Sequence, residues 1–364
     1  DLSLRSCSLK VGLLIMITKR YFLSFSLLIF FLGCTKEHEG LTYQFATKEE
    51  AKIQLFPYEH NWLINPEKVC FIQDLVLIYA DEEHLDHYFY LYNREGNFLA
   101  SFGNKEGEHL LYNPQCDCQF IQQEDQLEFV SYDHGSHYLT FFDIKAILEG
   151  KTEIVTRTIR GPNLYMPKGI YFNPAHHSIL GLGGGANGVV FNYDIAKKEL
   201  HWSTEKPVIT KNYSKAVTDL IFTASSSIDA ENNVLSIAYI LFNRLDQYNL
   251  QGQFLHSIYY EDIEQINPII VNDFPDPRNK LQYTHVQSKY GYHYIVYQGH
   301  ASSEADGNNP PQLHIINYDG QPIKALQLPY HIQDFTLMNQ DELMLVLKTE
   351  KDTHPQLYTL KIDF

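Results

Sequence analysis

From Leu41 onward, apolar residues come in short runs separated by clusters of Asn, Asp, Gly and Pro, the pattern of strands and turns. Three of the separators nearly repeat one another. Tyr92-Asn93-Arg94-Glu95-Gly96-Asn97-Phe98-Leu99 matches Tyr248-Asn249-Leu250-Gln251-Gly252-Gln253-Phe254-Leu255 in kind, and Ile316-Asn317-Tyr318-Asp319-Gly320-Gln321-Pro322-Ile323 is a looser copy. Each predicts a tight turn in which Asn opens, Gly supplies the positive φ, and aromatic or β-branched residues flank. Weaker versions sit at Asp143 and at Asn192-Tyr193-Asp194. The openers Asn93, Asp143, Asn192, Asn249 and Asn317 are spaced by 50, 49, 57 and 68 residues. A four-stranded propeller blade takes about 40–50 residues, so each interval predicts one blade.

The pre-turn strands Tyr88-Phe89-Tyr90-Leu91-Tyr92, Tyr138-Leu139-Thr140-Phe141-Phe142 and Gly188-Val189-Val190-Phe191 are apolar on both faces, which predicts packing between two neighbouring sheets. The last such segment, Leu357-Tyr358-Thr359-Leu360-Lys361-Ile362-Asp363, ends the chain one strand short of a sixth blade. An open edge is a template for aggregation, so the missing outer strand is expected from 41–58, where Ala51-Lys52-Ile53-Gln54-Leu55-Phe56 alternates. The expectation is an all-β, six-bladed β-propeller of four-stranded antiparallel blades over 41–364, closed by N- and C-terminal strands. The best helical windows, 48–53 and 143–149, are too short to stand alone. Insertions are expected at 261–280 and 300–311, rich in polar residues, Gly and Pro.

The first forty residues differ in kind. Lys19 and Arg20 precede an apolar run, Tyr21 to Leu32, that ends at Gly33-Cys34. The run is too short for a membrane-spanning helix, which needs roughly 20 apolar residues, so it is read as a secretory signal. Phe31-Leu32-Gly33-Cys34 resembles the bacterial lipobox, with Phe in place of the usual Leu. That resemblance implies cleavage after residue 33, lipidation of Cys34 and a polar tether over 34–40. Met16 is read as the start, which makes 1–15 upstream sequence. Residues 1–33 hold four basic residues (Arg5, Lys10, Lys19, Arg20) and one acid (Asp1). Leaving them out takes 28 basic and 44 acidic residues to 24 and 43, a net charge of −19. A field of that sign repels nucleic acid, and no nucleic-acid partner is expected. Among the remaining cysteines, Cys70 could bridge to Cys116 or Cys118, or all three could be buried thiols. Their spacing is not that of a zinc site.

Segments 241–258 and 311–323 resemble the TolB-like six-bladed propeller family of Bacteroidota lipoproteins, and the likeness extends over the mature chain through strand and turn motifs. Ser101-Phe102-Gly103-Asn104-Lys105-Glu106-Gly107-Glu108 stands where that family has a Gly-rich loop, with Lys105-Glu106 replacing its Gly-Pro. The resemblance implies a fold and an envelope address, and carries over no catalytic residues.

Candidate chemistry is sparse. Gly181-Leu182-Gly183-Gly184-Gly185-Ala186 is followed by a strand, not the helix a dinucleotide site requires, and is read as a hairpin loop. Asp81-Glu82-Glu83-His84-Leu85-Asp86-His87 and Asp133-His134-Gly135-Ser136-His137 are dense in possible metal ligands, but each lies between two apolar strands where a polar hairpin is expected anyway. Ser225-Ser226-Ser227 lacks a nucleophile elbow and is read as a turn into the strand 234–242. No catalytic, metal or cofactor residues are assigned; the one assigned site is Cys34. The expected function is a non-catalytic, lipid-anchored propeller binding a protein, peptide or glycan at the cell envelope, with the anchor placed in the outer membrane. The alternative is a calcium-dependent propeller hydrolase of the lactonase type, which needs acids such as Asp219 or Asp334 converging on the ring axis.

Overall fold

The computed structural model describes residues 40–59, 65–107, 110–164, 167–261, 267–304, 309–349, 352 and 354–364. Cys34 with the leader and tether up to residue 39, Glu108, 262–266 of the first insertion and 305–308 of the second lie outside the described residues. Residues 40–364 form one compact unit. It is a six-bladed β-propeller, as the turn spacing predicts. Blades 1 to 5 are antiparallel sheets over 68–104, 114–160, 168–202, 224–260 and 283–327. Blade 6 has Ile332–Asn339, Glu342–Leu347 and Gln356–Lys361 from the C-terminal end and Ile53–Leu55 as its outer strand.

The ring therefore closes as expected, with Ile53, Gln54 and Leu55 antiparallel to Leu360, Thr359 and Tyr358. The N-terminal segment does more than close it. Leu41–Tyr43 runs parallel along the outer strand of blade 4, and Glu49–Glu50 along that of blade 5. Both cover edges that would otherwise present unpaired backbone groups. The window 48–53, helical on propensity, is drawn into these edge pairings instead.

The repeated turns form as read. Asn93, Asn249 and Asn317 each accept backbone hydrogen bonds on Oδ1 from the residues two and four positions on. Gly96, Gly252 and Gly320 sit at φ of +85°, +78° and +75°, where a side chain is strained. In blade 3 the opener is not Asn192, which lies inside the strand Val190–Asp194. Asp194 opens the turn, accepting from the backbone of Lys197 at 2.9 Å. The long interval that follows holds a third insertion, 203–223, carrying the helix Lys215–Ile221. The other α-helix among the described residues, Ile144–Leu148, is capped by Asp143 through Ala146 N. No described helix is long and apolar enough to cross a membrane.

Two-sided burial has a direct cause: every blade packs against two others. Tyr90 and Tyr92 join Val346 and Met344 between blades 1 and 6, while Phe89 and Leu91 on the opposite face join Phe129 and Phe142 between blades 1 and 2. Phe141 turns the other way, to Phe172 and Phe191 between blades 2 and 3. Burial of this kind contributes about 1.5–3 kcal/mol per large side chain.

Candidate functional site

The first strand of each blade lines a central channel enclosing a cavity of about 560 Å³. Strand direction fixes which groups meet at one mouth. Lys68, Asp117, Ser225, His285 and Asp334 all lie toward the starts of inner strands, and the links between blades lie on that same face.

Many polar side chains on these strands tie one blade to the next. Asp334 Oδ2 and Thr336 Oγ1 of blade 6 accept from Val69 N and Phe71 N of blade 1 at 2.9 and 3.2 Å. Asp117 Oδ2 and Gln119 Oε1 of blade 2 accept from Ile170 N and Phe172 N of blade 3, both at 2.8 Å. Ser225 and Ser227 of blade 4 accept from Val286 N and Ser288 N of blade 5, and Gln287 accepts from Leu337 N of blade 6. The Tyr171 hydroxyl of blade 3 donates to Ser226 O of blade 4. Between blades 1 and 2 the link is covalent, a Cys70–Cys118 disulfide. An inner strand exposes one backbone edge to the channel, and these latches satisfy part of it without water.

The charges at the mouth centre on Lys68. Its side chain is surrounded by protein yet 45% exposed, because it faces the open channel, and its Nζ is 3.7 Å from Asp334 Oδ1. Asp334 holds the ammonium pKa above its usual value against the opposing effect of burial, with Asp117 assisting. Burial pushes the Asp117 carboxyl up to about 6, although Ile170 N, Gln115 and Lys68 all favour its charged form. Burial also pushes His285 down to about 4, keeping the imidazole neutral, and its Nδ1 has no hydrogen-bond partner. Lys68, Asp117 and His285 escape sequence reading because they are scattered in the chain and no local motif marks them.

Asp117 gives a test with a definite sign. Its folded pKa lies above the ordinary carboxylate value, so its contribution to stability is fully present below about pH 4 and is lost as pH rises through about 6. Asp117→Asn keeps an acceptor for Ile170 N and removes the charge. In denaturant melts, the variant is expected to gain about 1–2 kcal/mol over wild type at pH 8, the gain vanishing by pH 4. A variant less stable at pH 8 than at pH 4, relative to wild type, would contradict this.

The candidates read from the sequence separate here into groups with different roles. Asp334 is in the channel, as the hydrolase reading needs. Asp219 is not: it lies on the helix Lys215–Ile221 and its carboxyl accepts a backbone hydrogen bond from Ala186. The glycine stretch is a hairpin loop after Ser178–Leu182, and a Cβ on Gly184 would lie 2.1 Å from Asp219 Cγ. Ser225, Ser226 and Ser227 are not in a turn; they belong to the inner strand Ala224–Asp229. Their polarity, which suits a turn, is explained by the channel and the latches. The loop at 81–86 is tied by Lys105, whose Nζ donates to Asp81 at 2.8 Å and to Glu82 O at 2.7 Å. The Asp133 carboxylate accepts from the backbone of Tyr112, Asn113 and Gly135, bracing its loop. A serine–histidine contact that the sequence does not reveal, Ser288 Oγ to His293 Nδ1 at 2.7 Å, lies sealed between blades 4 and 5, with both residues at most 3% exposed. Among the described residues, the group of ligand-type side chains that converges within 4.8 Å is Cys70, Cys116 and Cys118.

No family model and no curated protein matches the sequence. Solved structures do. A DUF4221-family member from Bacteroides vulgatus is similar over 86% of this chain and 98% of its own, with 10% identity and a TM-score of 0.58. An inferred exported protein from Bacteroides fragilis is similar over 89% of this chain and 99% of its own, with 9% identity and a TM-score of 0.56. The chain shares their fold. At these identities the likeness extends to architecture and to no particular residue of the channel.

Proposed function

We propose that the protein is a non-catalytic binding module of the cell envelope, anchored through lipid on Cys34 at the outer membrane and related to the TolB-like propellers of Bacteroidota lipoproteins. The observation that carries the non-catalytic reading is the position of Lys68. A calcium-dependent propeller hydrolase needs carboxylates grouped around a cation on the axis. Here Asp334 and Asp117 both act on the Lys68 ammonium, and each spends an oxygen on a backbone latch. The positive charge these acids face is already supplied by the chain.

The surface for a protein or peptide partner lies on the same face as this mouth. The insertion 203–223 and the described residues 267–280 of the next join there, with Thr210 donating to Asn267 and Ile270 packing on the core that holds Val217 and Ile221. Together they leave Val208, Leu220, Ile269, Val271 and Phe274 exposed, the first and last at 63% and 65%. Apolar groups concentrated on two adjoining insertions mark an interaction surface better than scattered ones do. The net charge, −16 over the whole chain and −19 without residues 1–33, disfavours nucleic acid as the partner.

Thermal melts with chelator and with added calcium test the choice of class. A melting temperature unchanged within about 1 °C in both is expected, since no ion bound to the native state is lost. A drop in chelator reversed by calcium would favour the hydrolase.

A further inference from the structure

We propose that Cys70, Cys116 and Cys118 form a thiol–disulfide exchange site in the channel wall, in which the bridge on Cys70 passes between Cys118 and Cys116. Cys70 lies on the inner strand of blade 1, and the other two lie on the inner strand of blade 2. In a regular strand, residues two apart are separated by about 6.5 Å, too far for one partner sulfur to reach both easily. Blade 2 departs from regularity here. Its pairing with the second strand shifts register between Gln115 and Gln119, and Cys118 takes a φ of +53°. The result is three Sγ atoms within 4.8 Å of one another: Cys118 bonded to Cys70, and Cys116 free with its Sγ 3.4 Å from that of Cys70.

The exchange balances without an outside oxidant or reductant. Cys116 loses its proton and attacks Cys70 Sγ. The Cys70–Cys116 bond forms as the Cys70–Cys118 bond breaks, and Cys118 leaves as thiolate and takes up a proton. Blades 1 and 2 remain stapled in both arrangements, and only the free thiol changes. Cys116 is 4% exposed, whereas Cys118 is half-buried on the channel wall. Exchange therefore replaces a sheltered thiol by one presented to the channel. The resting thiol is held unreactive: burial pushes Cys116 up to about 12, with Asp117 and Asp334 acting in the same direction and Lys68 and the Cys118 backbone against it. Tyr79 also faces it. The thiolate is the nucleophile, so the exchange is slow at neutral pH.

The full oxidised chain, equilibrated in glutathione buffer at pH 8.5 well below its melting temperature and quenched in acid, decides the matter. After alkylation, cleavage on the N-terminal side of Asp117 separates Cys116 from Cys118, so peptide masses report each bridge. Wild type is expected to give both Cys70–Cys118 and Cys70–Cys116. Cys118→Ser is expected to give Cys70–Cys116, and Cys116→Ser only Cys70–Cys118. Wild type that returns Cys70–Cys118 alone overturns the proposal, as does a folded Cys118→Ser variant with both remaining thiols alkylated. The wild-type map decides even if a variant fails to fold.

Discussion

Removing residues 41–58 while keeping the rest of the chain is expected to give an aggregating or molten product. The deletion takes away the outer strand of blade 6 and the parallel edge pairings on blades 4 and 5. It also removes backbone hydrogen bonds from Ala51 N to Gln327 O and from Phe56 N to Leu357 O, and strips Tyr43 and Phe56 from the cores they fill. Each hydrogen bond contributes about 0.5–1.5 kcal/mol net and each buried aromatic about 1.5–3 kcal/mol. Together these approach the whole stability of a domain, about 5–15 kcal/mol. Tyr43 adds a specific loss, because its hydroxyl lies 3.1 Å from Nδ1 of buried His314 and 3.3 Å from the Tyr283 hydroxyl. Shortening the loop 300–311 by residues 306–308 serves as the control and is expected to leave a cooperative melt. Circular dichroism, dye binding and light scattering distinguish the two products. A soluble deletion variant with a sharp transition would mean that the N-terminal segment is not part of the closed ring.

Asp334→Ala is expected to be the most damaging single change at the channel, lowering stability by about 2–4 kcal/mol. Two losses combine. Val69 N, in a residue with no exposed surface, loses its acceptor, and Lys68 loses the carboxylate that most favours its charge. An orphaned buried donor costs about 1–3 kcal/mol. The charge loss is smaller than for a sealed ion pair, because Lys68 is open to the channel. Asp334→Asn keeps an acceptor for Val69 and is expected to cost about half as much. Thr336→Val, which removes the next latch up the same strand, is expected to cost about 1 kcal/mol. Denaturant melts of the three variants give the ranking. An alanine variant within about 0.5 kcal/mol of wild type, on the scale of a neutral surface change, would remove the latches from the account of stability.

How far the sequence is legible depends on the range of the interaction. The turns at Asn93, Asn249 and Asn317 are local, since Asn and Gly act within five residues, and they can be read directly. Two-sided apolar strands reveal that blades pack on both faces, and the incomplete last blade reveals the closing strand. The channel is different. Its residues come from six segments that meet only once the ring is built, so Lys68 and Asp334 are neighbours across 266 positions of chain. Ser225 to Ser227 illustrate the resulting misreading: a polar run in an inner strand resembles a turn until the next blade supplies Val286 N and Ser288 N. Asn192, read as a turn opener, is misread for the same reason and lies inside the strand Val190–Asp194. Its side chain donates to Gln251 O of blade 4, a task no local signal announces.

The path of the N-terminal segment also sets an order of events during synthesis. Residues 41–55 leave the ribosome before any blade exists, yet their partners are Ile258 to Tyr260, Leu326 and Gln327, and finally Tyr358 to Leu360. Residues made before every blade are thus among the last to be seated. Until the closing residues emerge, the outer edge of blade 6 has no strand to receive this segment. Contacts this distant make for slow folding and a prolonged interval of exposed edges. Binding by a chaperone to the nascent chain would matter most in that interval, and a circular permutant that begins at blade 1 and carries 41–58 after residue 364 would shorten it.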